Sequence, residues 1–217
     1  MSKTILFAVG LLSLILVVPV CGEDFSKLNF NIGGGVTTPL NPTANFVGLS
    51  GNFAVGAGYN INKHNSISGE FMWNGLPPNT VIHLPNAPFG SINLYSLTTN
   101  YRFHEDSIGG SLFGLYAIAG GGWYYRFTSI DKNYFVPPDT VCSPIFFWWG
   151  YGCDGGIVTE TIASKGNSAG GVNAGGGFTI RLSDKGWKFY VESRYNHAWS
   201  NRVPTVFIPV TFGFRFN

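Results

Sequence analysis

Charge is scarce in this chain of 217 residues. Asp, Glu, Lys and Arg make up 11% of it, less than half the roughly 25% of an ordinary soluble domain. Thirteen basic residues stand against eleven acidic ones, a formal net charge of +2. The lack of a broad basic field argues against nucleic acid as a partner. Histidine and cysteine are few, four and three, and scattered, so no metal site is expected. No apolar run reaches the roughly 20 residues that a membrane-crossing helix needs. Past residue 22 there is no helical apolar stripe either.

Aromatics, by contrast, make up 16%, and glycine supplies 30 residues, about twice its usual share of roughly 7%. Low charge with many aromatics excludes a solvated disordered chain. The length fits one domain or at most two.

The first segment reads as an address. Lys3 gives a positive start, residues 5–18 form a 14-residue apolar run, and Pro19 ends any helix. Val20 and Gly22 are small, which predicts a signal peptide over 1–22 with cleavage after Gly22. Retention as an anchor helix and lipidation at Cys21 are the alternatives. Removal of 22 residues from 217 leaves 195 with a net charge of +1, since Lys3 is lost. Two cysteines remain, Cys142 and Cys153, and an even pair in an exported chain predicts a disulfide. Export also removes the protein from ATP, and no cofactor is expected.

The rest alternates with period two. Leu28, Phe30, Ile32, Gly34 and Val36 share one face, and Asn29, Asn31, Gly33, Gly35 and Thr37 the other. The same holds for Phe53–Val55–Ala57–Tyr59–Ile61 against Asn52–Ala54–Gly56–Gly58–Asn60, and for Ile67–Gly69–Phe71–Trp73 against Ser68–Glu70–Met72–Asn74. It recurs around residues 95–103, 172–181, 188–196 and 208–216. The run at 112–127 is apolar on both faces, with Phe113, Leu115, Ala117, Ala119, Trp123 and Tyr125 favoured as the outward set.

These are eight strands of roughly the 9–11 residues that cross a bilayer with tilt. Connections after the even runs are short (62–65, 104–110, 183–186). Those after the odd runs are longer (38–50, 75–91, 128–167, 198–205). Short and long alternate as in an antiparallel transmembrane barrel with periplasmic turns and outer loops, so the long loop 128–167 is expected outside. An even count puts both termini on the periplasmic side. The apolar, aromatic faces must meet lipid, and the Asn, Thr, Ser, Glu and Arg faces must line the lumen. Two aromatic belts agree. Tyr59, Tyr101, Phe103, Trp187, Phe214 and Phe216 fall near the short-turn ends; Trp73, Trp123, Tyr125 and Tyr195 fall near the long-loop ends. Glycine triplets at 33–35, 120–122 and 175–177 lack the helix start of a phosphate loop and read as points of curvature and close approach.

Several stretches carry a resemblance: GGGVTTPL at 33–40, GAGYN at 56–60, GEFMWN at 69–74, LYSL at 94–97, ESRY at 192–195 and VFIPVTFGFRF at 206–216. In this order they resemble the OmpA/OmpX-like eight-stranded outer-membrane barrel superfamily, and more closely exported barrels of an acidobacterial type. The resemblance implies insertion among outer-membrane lipid by the barrel-assembly machinery. That machinery reads a C-terminal strand usually ending in an aromatic; here Phe216 precedes Asn217. It names no external ligand. The chain's end at Asn217 adds the expectation that no cell-wall-binding domain follows.

Six inward charges stand out: Glu70, Arg102, Arg181, Glu192, Arg194 and Arg215. An eight-stranded barrel is barely wide enough for its own side chains, and a lone buried charge is costly. A lumen plug of ion pairs is therefore expected. The alternative is a gate whose re-paired ions open a narrow path, one favouring anions because four arginines face two carboxylates. The stretch 142–153 holds Phe146, Phe147, Trp148, Trp149 and Tyr151 between its cysteines. It is either a stapled lid over the barrel mouth or a surface contact for a sugar, lipid or protein.

An enzyme is not expected. Glu192, His197 and Ser200 loosely suggest an outer-membrane lipid A deacylase, but three residues in a strand put His197 and Ser200 on opposite faces. A structural or surface-interaction barrel leads, ahead of a narrow channel or transporter for small solutes or amphiphiles.

Overall fold

The fold was taken from a computed structural model, which describes residues 27–79, 89–105, 111–136, 144–147, 150–153, 156–183, 186–200 and 203–216. The proposed signal peptide, Cys142, Trp148 and Trp149 lie outside them.

The described residues form ten strands: β1 (Leu28–Pro39), β2 (Ser50–Asn60), β3 (Asn65–Leu76), β4 (Phe89–Glu105), β5 (Phe113–Val136), β6 (Pro144–Phe147), β7 (Gly150–Cys153), β8 (Gly156–Arg181), β9 (Trp187–Ala198) and β10 (Thr205–Phe216). Eight close a barrel in the order β1-β10-β9-β8-β5-β4-β3-β2, while β6 and β7 pair separately. Every barrel pairing is antiparallel, and β1 meets β10 from Phe30↔Phe216 to Pro39↔Phe207. Closure leaves no sheet edge around the wall.

Alternation decides what each face meets. Along β3, Ser68, Glu70, Met72 and Asn74 are buried, while Ile67, Phe71 and Trp73 are exposed. Polar residues point in and apolar ones point out, the reverse of a water-soluble barrel. The outward phase favoured for 113–125 is the observed one, because Tyr116, Ile118 and Tyr124 are buried and Phe113, Leu115 and Trp123 exposed. Cross-strand register aligns Phe53, Trp73, Tyr95 and Tyr125 in one outward row. On β9, Trp187 and Tyr195 lie eight residues apart, about 26 Å along the strand and roughly 20 Å in height at a typical tilt.

The strand ends differ most from expectation. The stretch 128–167 is not one long loop. β5 runs on to Val136 and β8 begins at Gly156, and the two pair from Asp131↔Thr161 to Val136↔Gly156 beyond a register shift next to Ile130. Apolar alternation stops near Phe127, and the sequence reading stopped with it. The backbone ladder does not need an apolar face, so Thr, Ser, Asp and Lys carry it onward as a projecting arm.

Candidate functional site

The interior has two tiers, and register sets both. In the tier toward the short turns, Glu70 on β3 reaches across to Arg194 on β9. The Arg194 Nη2 donates to Glu70 Oε2 at 2.7 Å, and the same guanidinium pairs with Glu192, two residues earlier on its own strand. Asn31 Nδ2 donates to Glu70 Oε2 at 3.2 Å. All three charged groups are nearly inaccessible. One arginine thus bridges two carboxylates from opposite walls.

Arg102 and Arg215 are equally buried but take another arrangement. Their guanidinium carbons stand 5.5 and 4.8 Å from the Tyr116 ring centroid, and Arg215 also lies 5.0 Å from that of Tyr190. These are cation–π distances. Neither makes an ion pair among the described residues. Arg181 is not brought to the cluster. It stands half-buried at the end of β8, beside the turn to β9.

Glycine makes room for these rings. A Cβ on Gly177 would stand 2.6 Å from the Tyr116 hydroxyl oxygen, and one on Gly33 would collide with the Tyr190 hydroxyl. Two triplets named from sequence are therefore places where an inward tyrosine lies over the backbone of a nearby strand, β8 next to β5 for Tyr116 and β1 two strands from β9 for Tyr190.

The second tier, toward the long connections, is apolar. Val47, Leu76, Leu94, Tyr124, Ala198 and Phe207 pack into one buried cluster. The connection 40–49 folds over this end. Thr43 Oγ1 accepts from the Val206 N–H at 2.8 Å and donates to the Pro204 carbonyl at 3.1 Å, which seats Val47 in the mouth. The Tyr124 hydroxyl donates to Asn196 Oδ1 at 3.0 Å, joining the tiers. Beside the cluster a cavity of about 260 Å³ opens among Phe46, Leu76, Ile92, Arg126 and Thr205. The sequence reading missed this tier because it ended the strands early. The signal was present: parity extended by two residues puts Leu76, Ala198 and Phe207 inward.

The arm is the third feature. Past Gly171↔Ala198, β9 no longer covers β8. Beyond the Trp199 N–H on the Gly170 carbonyl, no described residue makes a backbone hydrogen bond to that side of β8, which is reached only by the Ser200 side chain at Asn167. Residues 160–166 are exposed. Between the arm's strands, β6 and β7 pair from Pro144↔Cys153 to Phe147↔Gly150, with Phe146 opposite Tyr151.

The residues weighed for hydrolysis are kept apart. Glu192 faces inward. His197 faces outward, 5.7 Å from the Trp199 ring, with its Nδ1 3.4 Å from the Tyr195 hydroxyl. Ser200 Oγ accepts from Asn167.

Comparison with known proteins bears on the fold. No family profile matches the sequence, and no curated protein matches it. Among solved structures, Neisserial surface protein A superposes with a TM-score of 0.52 at 14% identity, over 88% of this chain and 95% of that one. The outer membrane protein OprG of Pseudomonas aeruginosa gives 0.46 at 12% identity, over 88% and 97%. Ail, the attachment invasion locus protein of Yersinia pestis, gives 0.43 at 14% identity, also over 88% and 97%. Only the first is near enough to bear on architecture. This chain is similar to it in fold, here a closed barrel of eight strands.

Proposed function

We propose that this chain is an integral outer-membrane barrel whose interior is closed by side chains and whose role is structural or one of surface interaction. The observation that carries the membrane reading is the inverted polarity: about the whole wall, apolar residues face out and buried polar residues face in. In water such a wall would expose a continuous apolar band far beyond the patch a soluble monomer tolerates. Lipid satisfies it. The Glu70–Arg194–Glu192 bridge and the apolar cluster then act as a plug, leaving no wide aqueous path. The projecting arm, with its uncovered β8 side, offers backbone donors and acceptors to an extended partner segment. The sequence between its two strands contains Phe146, Phe147, Trp148, Trp149 and Tyr151, residue types that would supply apolar contact area. A Cys142–Cys153 disulfide would staple that segment. Export by the 1–22 signal and insertion by the barrel-assembly machinery complete this reading.

The test is an unheated-against-boiled gel of detergent-extracted protein, with far-UV circular dichroism on the same sample. A faster-migrating unheated band and a strand spectrum are expected. A band indifferent to boiling, from protein soluble without detergent, refutes the membrane barrel. The mouth cavity favours a second reading, passage of small amphiphiles, because one cation, Arg126, stands among the apolar Phe46, Val47, Leu76, Ile92 and Val203 and three threonines. Single-channel recording separates the two: the plug gives no steady conductance.

A further inference from the structure

We infer that the barrel interior holds a small monovalent anion of the halide class between Arg102 and Arg215. The inference rests on the closed-lumen reading above and adds a ligand to it.

Charge is the first ground. Setting aside Lys188, which is buried cross-strand from Arg215 and engaged by a contact of its own, the polar tier contains three guanidiniums, those of Arg102, Arg194 and Arg215, against two carboxylates, those of Glu70 and Glu192. Arg194 takes one oxygen of each carboxylate. Glu192 acts electrostatically on Arg102 and Arg215 as well, but one carboxylate already bound to Arg194 cannot neutralise two more cations. The tier carries one positive charge in excess, at a depth where a lone charge is unfavourable.

Donor geometry is the second. Nε and Nη2 of Arg102, and Nε and Nη2 of Arg215, have no hydrogen-bond partner, although the residues are only 2% and 4% exposed. The faces of Tyr116 and Tyr190 hold the guanidinium planes in place but bring no negative charge. Two inward hydroxyls, Ser66 and Ser68 Oγ, are also without partners, and Ser66 is the cross-strand neighbour of Arg102; the acceptors left without a hydrogen bond beside these guanidiniums are Glu192 Oε2 and the Tyr116 hydroxyl, one carboxylate oxygen against two guanidiniums. Water satisfies such donors but leaves the excess charge standing. An anion satisfies both. Size limits the class, because an interior of eight strands is already filled by side chains, which excludes a phosphate or a carboxylate-bearing solute and leaves a monatomic ion as the candidate.

The test uses the mature protein in phosphatidylcholine vesicles. Its thermal unfolding midpoint is read by the heat-shifted gel band in sodium chloride and in sodium gluconate at equal ionic strength. Chloride at a hundredfold above its dissociation constant is expected to raise the midpoint by about 5–10 °C. The Arg102→Met, Arg215→Met double variant is expected to lose the chloride effect, and Arg126→Gln, at the mouth, to keep it. Equal midpoints in the two salts overturn the proposal, as does a chloride effect that survives the double variant. If the double variant fails to fold, crystals of the unaltered protein grown in bromide decide. An anomalous peak between the two guanidiniums supports the site, and water alone there overturns it. The absence of any heat-shifted band in the unaltered protein refutes the barrel itself, a separate outcome.

Discussion

Removing the charge of Glu192 is the sharpest probe of the interior. Glu192 is 3% exposed, is gripped by Arg194, and is the carboxylate that acts on Arg102 and Arg215. In Glu192→Gln, Arg194 keeps Glu70, but the other two guanidiniums lose their nearest negative charge. Breaking a buried pair from one side costs about 3–5 kcal/mol. The surviving Arg194–Glu70 contact at 2.7 Å puts the expected loss near the lower end, about 3 kcal/mol. Glu70→Gln removes less. Its amide oxygen still accepts from Arg194, and Glu192 still neutralises that cation, so the loss is about 1.5–3 kcal/mol, the worth of hydrogen bonds to a charged group. Glu105→Gln is the control. Glu105 pairs with His64 at 3.2 Å with both side chains about half exposed, and exposed pairs contribute about 0–1 kcal/mol. Urea titration in vesicles, followed by tryptophan fluorescence, reads the order Glu192 > Glu70 > Glu105 at unchanged m-value. A loss in Glu105→Gln equal to that in Glu192→Gln would refute the ion-pair account of the plug.

Three further outcomes are expected. Gly177→Ala drives a methyl into the Tyr116 hydroxyl and the Val191 carbonyl and should cost about 1–3 kcal/mol, whereas Gly69→Ala, with nothing within 4 Å, should stay within about 0.5 kcal/mol; the same urea titration reads both. Phe207→Ala empties the centre of the apolar cluster and should cost about 3–5 kcal/mol without opening a channel in bilayer recordings, while Phe207→Ala with Glu192→Gln should give steady openings. Deleting 133–159 and closing the gap with a short turn should leave the heat-shifted band in place, since the described strand pairings of that part of the arm are all within it; loss of the band would make the arm part of the barrel's stability.

Period-two parity made the wall legible. Each inward and outward set from Leu28 to Phe216 follows from it, as does the phase of the apolar run at 113–125. Parity works because a strand has no other periodicity, and because lipid outside and polar groups inside reject a slip of one residue. Two things escaped it. One was strand length, since the arm beyond Phe127 pairs through its backbone and carries no lipid-facing signature. The other was partnership. Glu70, Glu192 and Arg194 were all marked as inward, but only closure of the barrel sets β3 against β9. Arg181 carried the same mark, yet it sits at a strand end and stays half-exposed. A sequence gives the face of a residue but not its height against a distant strand.

The two interior tiers differ in how they resist water. The bridge of Glu70, Arg194 and Glu192 is polar and can exchange its partners for water at modest cost if the wall breathes. The cluster of Phe207, Leu94, Leu76, Tyr124 and Val47 has no polar group to offer except the Tyr124 hydroxyl, and that already donates to Asn196. A constriction of this kind excludes water by dewetting. Phe207 pairs with Asn196 and Thr211 with Glu192 along the same two strands, which sets the tiers four residues apart, about 13 Å along the strand. They therefore lie in series, and resistances in series add. Loosening either one leaves the other closed, which is why the single variants are expected to stay silent and the double variant to conduct. On the proposed closed-lumen reading it also separates stability from closure: the ion bridge would organise the walls, and the apolar tier under the 40–49 connection would do most to keep solutes out.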